Sequence, residues 1–214
     1  MTIVVQTLSD QVFTLVRDQI LAGKLASTSA IRQDALAAEL GVSKIPLREA
    51  FVRLEQEGLL VSHANRGFFV RQMAISEAEE VYAIRLKLEP EAVAAGAAQA
   101  KDADRNAARQ ALDDIGRAIA LHSPDVGKCN RAFHLALVRP AGHPLTLQLL
   151  ERMHILSERY VAKYLEPAGR DQRANGEHAR ILDAWLAGRG EEAAQLTHAH
   201  LAEALDDLRR QFAA

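Results

Sequence analysis

The spacing of apolar residues changes twice along the chain. In SDQVFTLVRDQILAGK, Val12, Leu15, Val16 and Ile20 recur with Gln19 at a 3.6-residue period. That predicts a helix capped by Ser9 and ended by Gly23. RQDALAAELG predicts a second, short helix stopped by Gly41. VSKIPLREAFVRLEQEG predicts a third, capped by Ser43 and ended by Gly58. Pro46 falls in its first turn, where a missing N–H does no harm. Leu47, Phe51, Val52 and Leu54 supply its inward stripe. The period then shortens. LLVSH and GFFVRQ read as two strands around ANR, with Gly67 making the tight turn. RQMAIS follows as a linker, and after Ser76 the helical period returns. Helices are predicted over roughly 77–99, 103–121, 125–139, 144–165, 171–187 and 190–211. Pro90 is expected to kink or split the first of these. LTLQLLERMHILSERY carries Leu145, Leu149, Met153, Leu156 and Tyr160 on one stripe, which suits a core or a dimer surface.

Two short helices with a glycine turn between them, then a two-stranded ribbon, describe a winged helix-turn-helix. The expected fold is therefore mainly α, in two domains. Residues 1–71 form the winged helix-turn-helix, 72–76 a linker, and 77–214 an all-α helical bundle.

Composition narrows the possibilities. Of 214 residues, 49% are hydrophobic, which is ample for two cores, and only 5% are aromatic, which favours helices over a β-sandwich. The formal net charge of −2 shows no global basic excess, so any nucleic-acid surface must be local. Cys129 is the single cysteine, which rules out an intrachain disulfide framework and makes the cytoplasm the expected compartment. No apolar run approaches the ~18 residues of a membrane span, and the N-terminus does not read as a secretory signal.

A recognition helix offers the residues of its first turns to base edges in the major groove. Here these are Ser43, Lys44, Ile45, Pro46, Leu47 and Arg48. Arg48 suits a bidentate contact to guanine, Lys44 a guanine or a phosphate, and Ser43 a phosphate. Arg53 and Arg66 are expected on phosphates, with Arg66 at the wing tip between Asn65 and Gly67. Taken alone, a KxxxR pair also describes any solvated helix face. The strand-turn-strand that follows favours the DNA reading.

The stretches LVRDQILAGKL, LAAELGVSKIPLREAFVRLEQEGLL and ANRGFFV resemble the N-terminal domain of the GntR family of bacterial transcription regulators. Two features depart from the family pattern. Ser27-Thr28-Ser29 replaces the usual Pro-Gly, which implies a looser turn. Lys44 replaces the usual arginine, which loses bidentate geometry. The helical remainder resembles the FCD branch of that family through IRLKLEPEAVAAGA, NRAFHLALVRPAGHPLTLQLL and EHARILDAWLAGRGEEAAQLTHAHL. The resemblance implies a homodimer on a palindromic operator and a small organic-acid effector in the helical domain. Many members of the branch also bind a divalent metal through one aspartate and three histidines. The matching positions are Asn130, His134, His178 and His200, with Asn130 in place of the aspartate.

The chemistry of that set is consistent with the implication. Asn130 and His134 are four apart, so they lie ~40° apart on one helical face. Three neutral imidazoles and an oxygen suit zinc first, with nickel, iron or manganese as alternatives. The amide coordinates more weakly than a carboxylate, so a site of reduced affinity is expected. The alternative is that the histidines hydrogen-bond an acidic effector without metal. His63, His122, His143, His154 and His198 read as surface or satisfied core residues, and Cys129 as a small buried hydrophobe. Arg85 and Glu89 form an i,i+4 pair: either a structural ion pair, or a pair whose Arg85 enters the cavity and binds an effector carboxylate. Arg131 is a weaker candidate for that role.

Two other readings stand beside the regulator. In a metal-sensing regulator the ion itself would be the signal. A metal-dependent enzyme would need a general base beside a metal-bound water. Glu177 neighbours His178 but points ~100° away from it, which argues against the enzyme.

Overall fold

The computed structural model describes residues 6–25, 29–165 and 169–213. The chain is mainly α. Helices α1 (Leu8–Leu21), α2 (Gln33–Leu40) and α3 (Lys44–Gln56) precede an antiparallel pair of strands, β1 (Leu60–His63) and β2 (Gly67–Val70). Six helices follow: α4 (Ile75–Gln99), α5 (Asp102–Ala120), α6 (Val126–Val138), α7 (Pro144–Tyr160), α8 (Arg170–Leu186) and α9 (Gly190–Ala213). The chain divides into two compact units, Met1–Gln72 and Met73–Ala214, so residues 75 and 76, expected in the linker, already belong to α4.

In the first unit, α1 starts at Thr7 rather than Ser9. The Asp10 amide donates to the Thr7 hydroxyl at 3.1 Å, and the Thr7 amide donates back to the Asp10 carboxylate at 3.0 Å. This reciprocal capping box satisfies two orphan donors where a lone Ser9 cap would satisfy one. α1 packs on α3 through Val12, Phe13, Val16 and Ile20 against a stripe of Leu47, Ala50, Phe51 and Leu54. Leu15 and Val52, both expected inside, are 44% and 46% exposed. Phe13 brings more apolar area to the α1 seam than Leu15 would, and Val52 lies ~100° round from Phe51. Ser43 occupies the N-cap position of α3, but its side chain makes no capping hydrogen bond.

The wing pairs Leu60 with Val70 and His63 with Gly67. Asn65 takes a left-handed φ of 59°, which asparagine tolerates better than most residues, and Gly67 takes 85°. An unpredicted rung joins Ala30 to Phe69, with the Ile31 amide donating to the Phe68 carbonyl at 2.8 Å. One bridge is too short to leave a periodic signal. Ser27 and Thr28, where a looser turn was expected, lie outside the described residues.

In the second unit, α4 runs unbroken through Pro90 for 25 residues, so the expected split does not occur. Proline removes the amide that would bond the carbonyl four residues earlier. The buried stripe Ala78, Val81, Tyr82, Arg85, Glu89, Ala92, Val93, Gly96 and Ala97 nevertheless continues on both sides of it. Packing of this stripe on α6, α7 and α9 outweighs the local defect. The main core gathers Val93, Ile115, Phe133, Leu137, Leu150, Ile181 and Trp185, and a second gathers Tyr82, Tyr160, Leu165, Leu201 and Leu208. α7 ends in a π turn over Val161–Leu165. Its buried face matches the expected stripe only in part: Met153 and Tyr160 are buried together with Leu150, His154 and Ser157, while Leu145 and Leu149 are 75% and 51% exposed.

Gly96 marks the closest helix approach. A Cβ there would sit 2.1 Å from the Leu137 carbonyl oxygen, which also accepts the Trp185 indole N–H at 3.2 Å. Backbone cannot yield as a side-chain tip can. Gly96→Ala is therefore expected to destabilise the helical unit by about 3 kcal/mol. Urea unfolding followed by far-UV circular dichroism reads this directly, and a change below about 1 kcal/mol would show that α4 and α6 separate easily.

Candidate functional site

Each unit carries one candidate site. On the first, the outward face of α3 exposes Ile45, Arg48, Glu49 and Val52 at i, i+3, i+4 and i+7. Among the described residues no acidic group pairs with Arg48. Lys44 is held by Asp34, Nζ to Oδ1 2.5 Å, in an exposed surface pair. Such pairs contribute little and exchange readily for another anion. Arg53, expected on a phosphate, is engaged elsewhere in this structure. Its Nη1 lies 2.7 Å from Asp10, and its guanidinium sits 4.1 Å over the Phe13 ring, where it ties α3 to α1. Asn65 and Arg66 project from the wing, with the Arg66 guanidinium 5.4 Å from the Phe69 ring centroid. Ser43 is exposed, while Pro46 and Gly67 are half-buried.

In the second unit the helices bring titratable groups inside. His134 on α6, His178 on α8 and His200 on α9 are buried, and one ligand atom of each lies within 4.8 Å of the others. The His178 and His200 Nε2 atoms are 3.3 Å apart. The outer nitrogens of two of these rings are taken by carboxylates. His134 Nδ1 lies 2.6 Å from Glu89 Oε1, and His200 Nδ1 lies 2.7 Å from Glu177 Oε2. A carboxylate on one ring nitrogen fixes the N–H there and turns the lone pair of the other outward, as at histidine-metal centres. Among the described residues, His134 Nε2 has no hydrogen-bond partner, and neither has His178 Nδ1. An unsatisfied buried acceptor facing two other imidazoles fits a cation. The unsupported Nδ1 of His178 lacks the carboxylate that its two neighbours have.

A cavity beside the cluster is lined by Tyr82, Arg85, Asn130, Arg170, His178 and His200. It offers about 40 Å³ to water-sized occupants, room for on the order of three waters. Asn130 and His134 thus share the helix α6, as their spacing predicts, and Asn130 opens onto the same space as His178 and His200. Arg85 lines it too, but its guanidinium is already committed. Nε donates to Glu89 Oε2 at 2.9 Å, Nη2 to Glu89 Oε1 at 3.3 Å, and Nη1 to the Ser157 hydroxyl at 3.1 Å. The structural ion pair expected of Arg85 and Glu89 is therefore present, and the guanidinium faces Glu89 and Ser157 rather than an open carboxylate site. Arg131 pairs with Glu158 at 2.8 Å. Arg170, which the sequence did not single out, grips Glu177 at 2.8 and 2.6 Å and Asp207 at 3.0 Å.

Two further residues, Glu89 and Glu177, escaped the sequence reading as members of the site. His154, read as a surface or satisfied core residue, is in the core: it is 1% exposed and lies 3.2 Å from Glu89, which makes Glu89, His134 and His154 a second close cluster. Glu89 was read only as the partner of Arg85. Glu177 does point away from His178, and the same turn aims it at His200. The bland reading stands for Cys129, which packs half-buried against the core.

Burial governs the protonation of these groups. Desolvation pushes His134, His154 and His200 down to about 4 and His178 well below its ordinary value. All four are therefore neutral at pH 7, as an imidazole must be to ligate a metal. Burial works against the Glu89 carboxylate, but Arg85, His154 and His134 hold it well below the usual range. Burial also opposes Glu177, which the His200 and Arg170 hydrogen bonds hold at about 2.

The comparisons with known proteins agree with this layout. Residues 8–70 match the bacterial regulatory proteins of the gntR family, and residues 80–203 match the FCD domain. The Nta operon transcriptional regulator of Aminobacter aminovorans is 30% identical over 179 residues, 83% of each chain. A putative GntR transcriptional regulator from Rhodococcus sp. RHA1 superposes with a TM-score of 0.81 at 25% identity, over 94% of this chain and 97% of that one. Escherichia coli McbR/YncC shares the fold, with a TM-score of 0.83 at 22% identity, over 97% of this chain and all of that one. These relatives are transcriptional regulators, not enzymes.

The lowered imidazoles make the stability of the metal-free protein depend on pH. Unfolded histidine titrates near 6.5, so between that value and about 4 the unfolded chain binds protons that the folded chain does not. Stability is complete above about 6.5 and falls as pH drops. At pH 5.5, unfolding of the helical unit should take up close to four protons, one for each buried imidazole. The slope of unfolding free energy against pH measures the uptake, and His154→Gln should lower it by about one. An uptake near zero would mean that these rings are charged in the fold.

Proposed function

We propose, from the premise that the chain belongs to the GntR family of bacterial regulatory proteins and carries the family's FCD domain, that it controls transcription as a ligand-responsive homodimer in the cytoplasm. The α3 helix reads the major groove of a palindromic operator, with Arg48 on guanine, Lys44 on guanine or phosphate, and the wing residues Asn65, Arg66 and Gly67 on the backbone. The helical unit takes a divalent ion at Asn130, His134, His178 and His200, zinc first by ligand chemistry, together with a small carboxylate effector. The observation that carries this reading is the pair of carboxylate-backed imidazoles, Glu89–His134 and Glu177–His200, whose free nitrogens converge with His178. Arg85 holds Glu89 in place from the cavity wall, so an effector carboxylate would reach its guanidinium only by displacing Glu89 or Ser157. An effector that binds the free and operator-bound conformations unequally shifts DNA affinity by that difference.

The small volume of the cavity favours a second reading, in which the ion alone is the signal. Operator affinity measured with metal, with and without small carboxylates, separates the two. A response to metal alone supports the sensor, and a response that needs the acid supports the effector reading.

Two sets of variants test the proposal. Asn130→Asp should tighten zinc or nickel binding at least tenfold, ~1.4 kcal/mol, because a carboxylate adds the charge that the amide lacks. His134→Ala, His178→Ala and His200→Ala should each lose the ion in titration calorimetry while keeping basal DNA binding. Equal zinc affinity in the wild type and all three histidine variants would make the cluster a proton-bonded core. On the other unit, Arg48→Ala should remove operator discrimination worth ~1–3 kcal/mol, whereas Arg66→Ala should weaken all sequences alike and reduce the salt slope. Full sequence preference in Arg48→Ala would place the reading helix elsewhere.

A further inference from the structure

The outward face of α3 carries two exposed apolar side chains, Val52 and, in the first turn and far more exposed, Ile45. Ile45 is 71% exposed, although the first unit closes its core with Leu47, Ala50, Phe51 and Leu54 from the same helix. It stands in the first turn, three residues before Arg48 on the same side. Its neighbour Lys44 leans to Asp34, so the cationic group nearest Ile45 is already drawn toward a carboxylate. The head of α3 is thus apolar and partly charge-compensated, with a free arginine one turn on.

The chemistry of the major groove gives such a residue one natural partner. Thymine alone of the four bases presents a methyl group there, at C5. Isoleucine is β-branched, so its χ1 is stiff and its Cγ2 methyl points in a set direction. We infer that Ile45 reads a thymine methyl in each half-site, beside the guanine taken by Arg48. Residues three apart on a helix have Cβ atoms about 5–6 Å apart, and successive bases are 3.4 Å apart along a strand. The thymine therefore lies within about two base pairs of that guanine. The inference rests on α3 being the helix that reads bases.

The test uses the full-length protein. Duplexes that bind it are selected from a randomised pool, and each thymine of the selected consensus is replaced in turn by deoxyuridine, which lacks only the methyl. The wild type is expected to lose about fourfold in affinity at one thymine per half-site, the scale of one buried methyl group (~0.8 kcal/mol). Ile45→Ala should bind the thymine and uridine duplexes equally, and Ile45→Thr, which keeps a methyl, should retain part of the difference. An absence of uridine sensitivity within two base pairs of the Arg48 guanine would overturn the inference, as would an equal loss in Ile45→Ala. The Arg48→Ala arm distinguishes the two levels. If it keeps the guanine preference, α3 is not the reader and both ideas fall. If it loses that preference while uridine is tolerated everywhere, only the role of Ile45 falls, and its exposure is that of an ordinary surface residue.

Discussion

A fully buried carboxylate, Glu89, constrains the helical unit more than any other group. An isolated charge in an apolar interior is expensive, and it persists only if every oxygen is matched. Glu89 receives Arg85 from its own helix, His134 from α6 and His154 from α7. Three helices must therefore meet in one register before the charge is tolerable. The arrangement also fixes the His134 tautomer, because a neutral imidazole donates to a carboxylate only from the nitrogen that carries the proton. The direction in which the other nitrogen faces follows from the fold.

α4 supplies more than this charge. Its first turn is held by Tyr160, whose hydroxyl lies 2.7 Å from Glu77 and 3.1 Å from the Ala74 carbonyl. The same tyrosine closes α7 just before the π turn, and that turn places Val161 and Leu165 on the cavity wall. π turns often mark functional positions, since the widened ladder redirects side chains. A displacement of the wall is thus one residue away from the bond that secures the start of α4.

The winged helix-turn-helix, the helical remainder and the α6 placement of Asn130 and His134 were legible because they rest on strong periodicity and on i,i+4 geometry. The facing of the first half of α7 was not. Leucines at 145, 147, 149 and 150 put an apolar residue on almost every side, so the stripe could be drawn in two registers. The expected stripe holds at Met153 and Tyr160, which are buried, but its first half runs through Leu145 and Leu149 where the fold buries Leu150. Pro90 misled for a different reason. A local helix defect is weighed against packing that lies far away in sequence, and no window around residue 90 contains α9. Glu177 shows the limit of angular reasoning on a single helix. Its angle from His178 was right, yet its partner His200 lies on another element, and only tertiary structure brings that one within reach.

The charges around the cavity explain why the amide at 130 matters. Arg85 offsets Glu89, Arg170 offsets Glu177, and Asp207 is paired by Arg173 and Arg210 as well as Arg170, so the carboxylates are matched before any ion arrives. The proposed donors, three neutral imidazoles and an amide oxygen, would bring no charge. A dication in that set would keep nearly its full charge in a poorly screened interior, where opposite unit charges 4 Å apart attract by about 4 kcal/mol at an effective dielectric constant of 20. An aspartate at 130 would supply one such negative charge permanently. With asparagine, the charge has to come from whatever fills the open coordination positions, and a carboxylate effector is suited to do so. In the proposed reading, ion and acid then stabilise each other's binding, and by linkage the factor by which the acid tightens the metal equals the factor by which the metal tightens the acid.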